Sequence, residues 1–117
     1  MIWINTIMLE SQLQGELLRW LKRKSIEHWR MPIGPVLHAG GKTWGKNPLK
    51  GFPDIMGILK RGHPGRAWAV EIKVGRAALR PEQVDWIKRL STAGAAVAIV
   101  RSIADAEDFF RSLGEIT

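Results

Sequence analysis

Cysteine is absent from the 117 residues. Its absence removes disulfides, zinc–thiolate sites and thiol chemistry together, and it fits a reducing compartment, with the cytoplasm as the expected location. Long apolar runs are missing as well: nothing approaches the stretch of about 20 residues that crosses a bilayer, so no membrane partnership is expected. The opening residues lack a basic segment and a small-residue cleavage site, and they do not read as a secretory signal. The three histidines, His28, His38 and His63, lack the spacing of a metal-binding set. There is no internal repeat and no low-complexity tract. What remains, with 45% apolar and 25% charged residues, is an ordinary globular composition, which excludes a disordered tail or a collagen-like rod. A chain of this length makes a single domain, 1–117.

Acids are scarce where bases are dense. Lys and Arg number eighteen against eleven Asp and Glu, a net charge of +7, which points to a polyanionic partner such as nucleic acid. Between His28 and Pro81 there are ten basic residues and two acidic ones, so this segment carries +8 and the rest of the chain −1. The two acids inside the basic segment are Asp54 and Glu71. Carboxylates placed in a field of cations require an explanation.

From Leu9 to Lys24 the residues Leu13, Leu17, Trp20 and Leu21 recur at helical spacing, and Lys22, Arg23 and Lys24 close the last turn, where cations offset the helix dipole. Ile26–Met31 reads as a short strand, and residues 32–51 as a long basic loop without secondary structure, a kind of segment that is usually functional. Asp54–Leu59 and Ala67–Val74 read as the two strands of a hairpin, joined by Lys60-Arg61-Gly62-His63-Pro64-Gly65. Pro81 opens a second helix that carries Val84, Ile87 and Leu90. Ala95–Val100 suits a buried strand, and Ser102 with Asp105 marks the N-cap of a last helix through Phe109, Phe110 and Leu113. The expected order is αβββαβα. Residues 1–8 read as an N-terminal extension, or as a short strand or interface segment.

Alternation along Ala67–Val74 puts Trp68, Val70, Ile72 and Val74 on one face and Ala67, Ala69, Glu71 and Lys73 on the other. Glu71 and Lys73 then project side by side, about 7 Å apart. Opposite charges on a solvent-facing strand are routine and usually idle. Asp54 changes their meaning, because in a hairpin of this length it lies near the Glu71 end of the neighbouring strand. Two carboxylates and a lysine suit Mg²⁺, which commonly takes one or two carboxylates plus substrate phosphate oxygens.

These residues resemble a known family. Gly51-Phe52-Pro53-Asp54, Glu71-Ile72-Lys73 and Pro81-Glu82-Gln83 look like the signature of the PD-(D/E)XK nucleases, in particular the virus-type replication-repair nuclease (VRR-NUC) domain. The resemblance extends to Arg80 before the second helix and to Glu10-x-Gln12-Leu13-Gln14 in a first helix ending in Trp20-Leu21, and it covers Leu9 to Phe110. It implies an α/β, restriction-endonuclease-like core: a mixed four-stranded sheet flanked by helices. It further implies Mg²⁺, with Mn²⁺ able to substitute, held by Glu10, Asp54, Glu71 and the backbone carbonyl of Ile72, with Lys73 as the catalytic lysine and Gln83 as the motif glutamine. Helical geometry agrees on Glu10, since Leu13, Leu17 and Leu21 fall within about 60° of it, whereas Glu16 lies about 120° away. Glu10 is therefore expected on the buried side. Gln83 falls within about 40° of Ile87 and about 20° of Leu90; facing inward, it needs a partner, expected in the active site.

The implied activity is Mg²⁺-dependent, structure-selective hydrolysis of DNA, in the manner of a Holliday-junction resolvase working as a homodimer. A phage or mobile-element origin would fit such a family. Arg30, His38, Lys42, Trp44, Lys46, Lys50, Lys60, Arg61, Arg76 and Arg80 are the expected DNA contacts, the cations on phosphates and Trp44 stacked on a base, wedged in a junction or anchoring the loop. Two other readings use the same fold: a non-catalytic nucleic-acid-binding module, and a restriction-type or flap nuclease.

Overall fold

The computed structural model describes residues 8–34, 36–37, 41 and 44–117; the proposed extension 1–8 thus lies outside it but for Met8. The elements are α1 (Glu10–Arg23), β1 (Trp29–Arg30), β2 (Val36–Leu37), β3 (Trp44–Gly45), β4 (Ile55–Ile58), β5 (Ala67–Ile72), α2 (Pro81–Thr92), β6 (Ala96–Val100) and α3 (Ile103–Ser112). Four strands form a mixed sheet in the order β1-β4-β5-β6. β1 with β4 and β4 with β5 are antiparallel, and β5 with β6 is parallel, as expected where a helix, here α2, carries the chain between the two strands.

The apolar stripe of α1 folds as its spacing predicts. Leu13, Leu17, Trp20 and Leu21 join Ile55, Trp68, Val70, Ile72, Val100, Ala106 and Phe110 in one core, so α1 and α3 close over the same face of the sheet. Phe110 is the pivot, its ring edge-on to Trp68 at 4.8 Å and 5.9 Å from Trp20. α3 begins as the sequence predicts: Ser102 Oγ accepts from the Asp105 N–H at 3.1 Å, and the Asp105 carboxylate accepts from the Arg101 N–H at 2.9 Å. The opposite face of β5 is buried as well: Ala69 and Glu71, with Lys73 just past the strand's end, are almost fully enclosed. The solvent-facing alternative for Glu71 and Lys73 is therefore wrong.

Three expectations change. The loop 32–51 contains a two-stranded antiparallel ribbon, Val36 opposite Gly45 and Leu37 opposite Trp44, so the order is αβββββαβα. Asn47 ties its base, donating to the carbonyls of Pro32 and Gly34 and accepting from the Leu49 N–H; side-chain bonds of this kind carry no periodicity for a pattern to detect. The strand expected over Ile26–Met31 is reduced to Trp29–Arg30. β6 pairs only with β5 and leaves Ile99 38% exposed, so it is an edge strand rather than a buried one.

Candidate active site

The register of the hairpin makes the site. Ile55 lies opposite Val70, so one step further Asp54 faces Glu71, at the point where β4 begins and β5 is about to end. Pro53 and Phe52 are buried, and Phe52 packs edge-on against Trp86 at 5.0 Å, which fixes the approach to Asp54. Asp54 Oδ2 accepts the Ile72 N–H at 2.7 Å, strapping the carboxylate across the two strands. Its side chain also bonds to that of Glu71.

Two carboxyl groups in hydrogen-bond contact need one proton between them. Glu71 keeps it: burial, the bond to Asp54, the Asp54 charge and a smaller repulsion from Glu10 push its pKa up to about 9, against the opposing pull of Lys73. Glu71 is 2% exposed and Lys73 6%. Burying such a group ionised is costly without a cation, so a divalent ion held there would have to take the place of the proton. The donors are of the kind such an ion takes, hard carboxylate oxygens from Asp54 and Glu71.

Other residues fall where the sequence does not place them. Glu10 is exposed, not on the buried side, because a helical wheel gives the angle of a side chain and not its height: Glu10 is the first residue of α1, ahead of the turns that cross the sheet. Among the described residues, no three His, Asp or Glu side chains gather in a group able to hold a metal ion; the pair Asp54–Glu71 forms, with Glu10 felt only through its charge. Gln83 is buried, 4% exposed, but its Oε1 accepts the Arg80 N–H at 2.8 Å, capping α2, and this backbone group rather than an active-site group is its partner. Gln12 caps α1 in the same way from Leu9 at 2.7 Å.

The expected DNA contacts divide into two groups. Trp44, Lys46, Lys50 and Arg80 line one open groove of about 580 Å³ with Ile33. Arg76 is exposed just beyond β5, and Arg30 is exposed with its guanidinium against the side-chain amide of Gln14. Lys60 and Arg61, by contrast, occupy the opposite end of β4 from Asp54, about 20 Å along the strand. Arg61 is committed there to Glu115, through a 3.6 Å ion pair and a bond to its backbone carbonyl, and Lys60 pairs with Glu27 at 3.6 Å. Neither belongs to the site. His38 and Lys42 lie outside the described residues.

Two positioning residues escape sequence reasoning. Glu115, 1% exposed, accepts the N–H groups of Lys60 and Arg61 at 2.8–3.1 Å and holds the β4–β5 turn. Arg101 donates to the carbonyls of Gly75 and Ala77 at 2.9 and 3.0 Å, fixing the chain just after Lys73. Both partnerships span more than twenty residues, and nothing local marks either one.

The VRR-NUC domain family matches residues 9–104. A solved structure described as a VRR_NUC domain protein superposes with a TM-score of 0.65 at 20% identity, covering 93% of each chain. Among curated proteins, none matches.

Proposed function

The chain belongs to the VRR-NUC family, and from that premise we propose that it is a Mg²⁺-dependent endonuclease that hydrolyses the phosphodiester bonds of branched DNA, acting as a homodimer with a four-way junction as its leading substrate. The observation that supports this reading best is the pairing of half-buried Asp54 with enclosed Glu71, and Lys73 two residues on, just past the end of β5. Asp54, Glu71 and the Ile72 carbonyl would hold the ion, with Glu10 contributing charge; when bound, it polarises the phosphate and acidifies a water molecule. Asp54 is fixed by the Ile72 N–H, so the pair is set before substrate arrives. Lys73, enclosed and beside Glu71, orients the attacking water or steadies charge developing on the phosphate. Gln83 spends only its oxygen on the cap of α2, which leaves its amide NH₂ to meet substrate or water.

One observation favours the second reading, a binding module without catalysis: the lack of a three-carboxylate group among the described residues. Against it, binding a polyanion gives no reason to bury an acid between a second acid and a lysine.

The deciding experiment incubates the purified protein with labelled junction, flap and linear duplex DNA, with Mg²⁺, with Mn²⁺ and with EDTA. Metal-dependent cleavage that disappears in Asp54→Ala is expected. Cleavage of no substrate, or full activity in Asp54→Ala, overturns the nuclease reading. Preference for a flap or a linear site redirects the substrate, and a monomer by light scattering at micromolar concentration counts against paired nicking of a junction.

A further inference from the structure

The groove beside the ribbon has a chemistry of its own. Trp44, on β3, is 68% exposed, the most open of the large apolar side chains among the described residues, and it stands beside Ile33 with Lys46, Lys50 and Arg80 around the same groove. Lys46 and Lys50 are exposed, and Arg80 remains 62% exposed while paired with Glu82 at 3.2 Å. An apolar floor with an indole, rimmed by three cations, is complementary to a group that is flat and apolar on its faces and anionic at its edges. The space of about 580 Å³ falls in the range of about 300–1,000 Å³ typical of small-ligand clefts.

We propose that this groove is a subsite for an unpaired nucleotide of the DNA substrate, with its base stacked on Trp44 and its flanking phosphates on Lys46, Lys50 and Arg80. The assignment rests on the nuclease reading for its ligand, but its geometry is separate from the carboxylate pair. An indole face reaches a base face only where the base has left the stack, because a duplex shows its grooves nothing but base edges. The occupant is therefore single-stranded or flipped.

The groove is fixed relative to the reacting centre. Gly51, at φ 85°, lies so close to α2 that an added Cβ would come within 2.6 Å of Glu82 Cγ. The Lys50 carbonyl accepts the Trp86 indole N–H at 3.1 Å. Lys50 lies four steps along the chain from Asp54, a span of at most about 14 Å, or about four nucleotides at the 3.4 Å per step of one strand. The unpaired nucleotide thus sits within a few positions of the bond to be cut. Selection for flapped or frayed DNA, or for a junction whose pairs open at the crossover, follows from that placement, since these offer unpaired bases near a duplex and a blunt duplex does not.

The test uses Trp44→Ala and Trp44→Phe in the full chain, in two arms. In EDTA, binding to a labelled duplex carrying a short single-stranded flap is compared with binding to the same duplex with blunt ends. Trp44→Ala is expected to weaken flap binding about five-fold or more with blunt-duplex binding unchanged, and Trp44→Phe to retain most of the affinity. In Mg²⁺, kcat/KM on the flap substrate falls in parallel through KM. Equal loss on both DNAs, or no loss on either, overturns the subsite. Absence of cleavage in the wild-type protein, with the flap-specific binding loss still present, overturns the nuclease reading and leaves the subsite standing. Trp44 is exposed, so its truncation opens no core; circular dichroism spectra that match the wild type exclude misfolding as the cause.

Discussion

Glu71 carries the sharpest consequence at the scale of one residue. Its pKa in the folded chain is pushed from 4.5 up to about 9, so the native state holds a proton that the unfolded chain releases. Stability from this group is complete below the unfolded value and is lost as pH climbs through the window from 4.5 to about 9. The metal-free protein should therefore melt at progressively lower temperature across that range. Mg²⁺ should raise the melting temperature more at pH 8 than at pH 5, because at low pH the proton holds the place of the ion. Glu71→Gln removes the titrating group and keeps its size. It is expected to flatten the pH dependence, abolish the Mg²⁺ shift and cleavage, and raise the metal-free melting temperature at pH 8 by about 4 °C or more, the equivalent of about 1 kcal/mol in a domain of this size. Calorimetry across pH with and without Mg²⁺ decides it; a variant less stable than wild type at pH 8 contradicts the account. Gln83 separates a cap from a catalytic part. Gln83→Glu retains the acceptor for the Arg80 N–H, so stability should hold within about 1 kcal/mol, while the loss of the amide NH₂ lowers kcat. Gln83→Ala should lose both, with the cap worth about 0.5–2 kcal/mol.

Elements formed where local chemistry repeats along the chain. The stripe of α1, the Ser102 cap of α3 and the alternation of β5 are all periodic or contiguous signals, and they appear in the fold with boundaries shifted by a residue or two. The Asp54–Glu71 pairing was legible for the same reason: a hairpin with a short turn has few registers, and a slip of one residue would turn every side chain of β5 to the wrong face. What was not legible depended on partners distant in sequence. The exposed position of Glu10 depends on where α1 crosses the sheet, and the diversion of Arg61 depends on Glu115, which lies 54 residues away. Gly57 is another case, reading as an unremarkable residue in a strand pattern. Its Cα faces the buried Trp68 ring and the Glu27 carbonyl, and an added Cβ would stand 2.7 Å from the ring. Gly57→Ala should accordingly destabilise the fold by about 1–3 kcal/mol through overpacking. Urea denaturation measures it, and an unchanged midpoint would show that the sheet yields there.

For the whole molecule, the question is which part of the +7 charge meets DNA. The sequence assigns the excess to one segment, and folding splits that segment between two ends of β4. Near Asp54 lie Lys46, Lys50 and Arg80 around the groove; at the far end Lys60 and Arg61 face Glu27 and Glu115, where the local charge is largely cancelled. Each cation that neutralises a phosphate releases a counterion, so it adds close to one unit to the slope of log affinity against log salt. Lys46→Ala and Lys50→Ala should each weaken binding to every DNA tested and reduce that slope by about one. Lys60→Ala should leave the slope where it was, because its phosphate would have to lie about 20 Å along the sheet from the bond being cut. Arg61→Ala is a poorer probe, since it strips a buried carboxylate of its cation and unsettles the turn. Fluorescence anisotropy over 50–300 mM salt, in EDTA to prevent cleavage, reads all three lysine variants on one axis. A slope that falls for Lys60→Ala as much as for Lys50→Ala would mean that the duplex wraps the far end of the sheet, and that the groove end is not the principal phosphate surface.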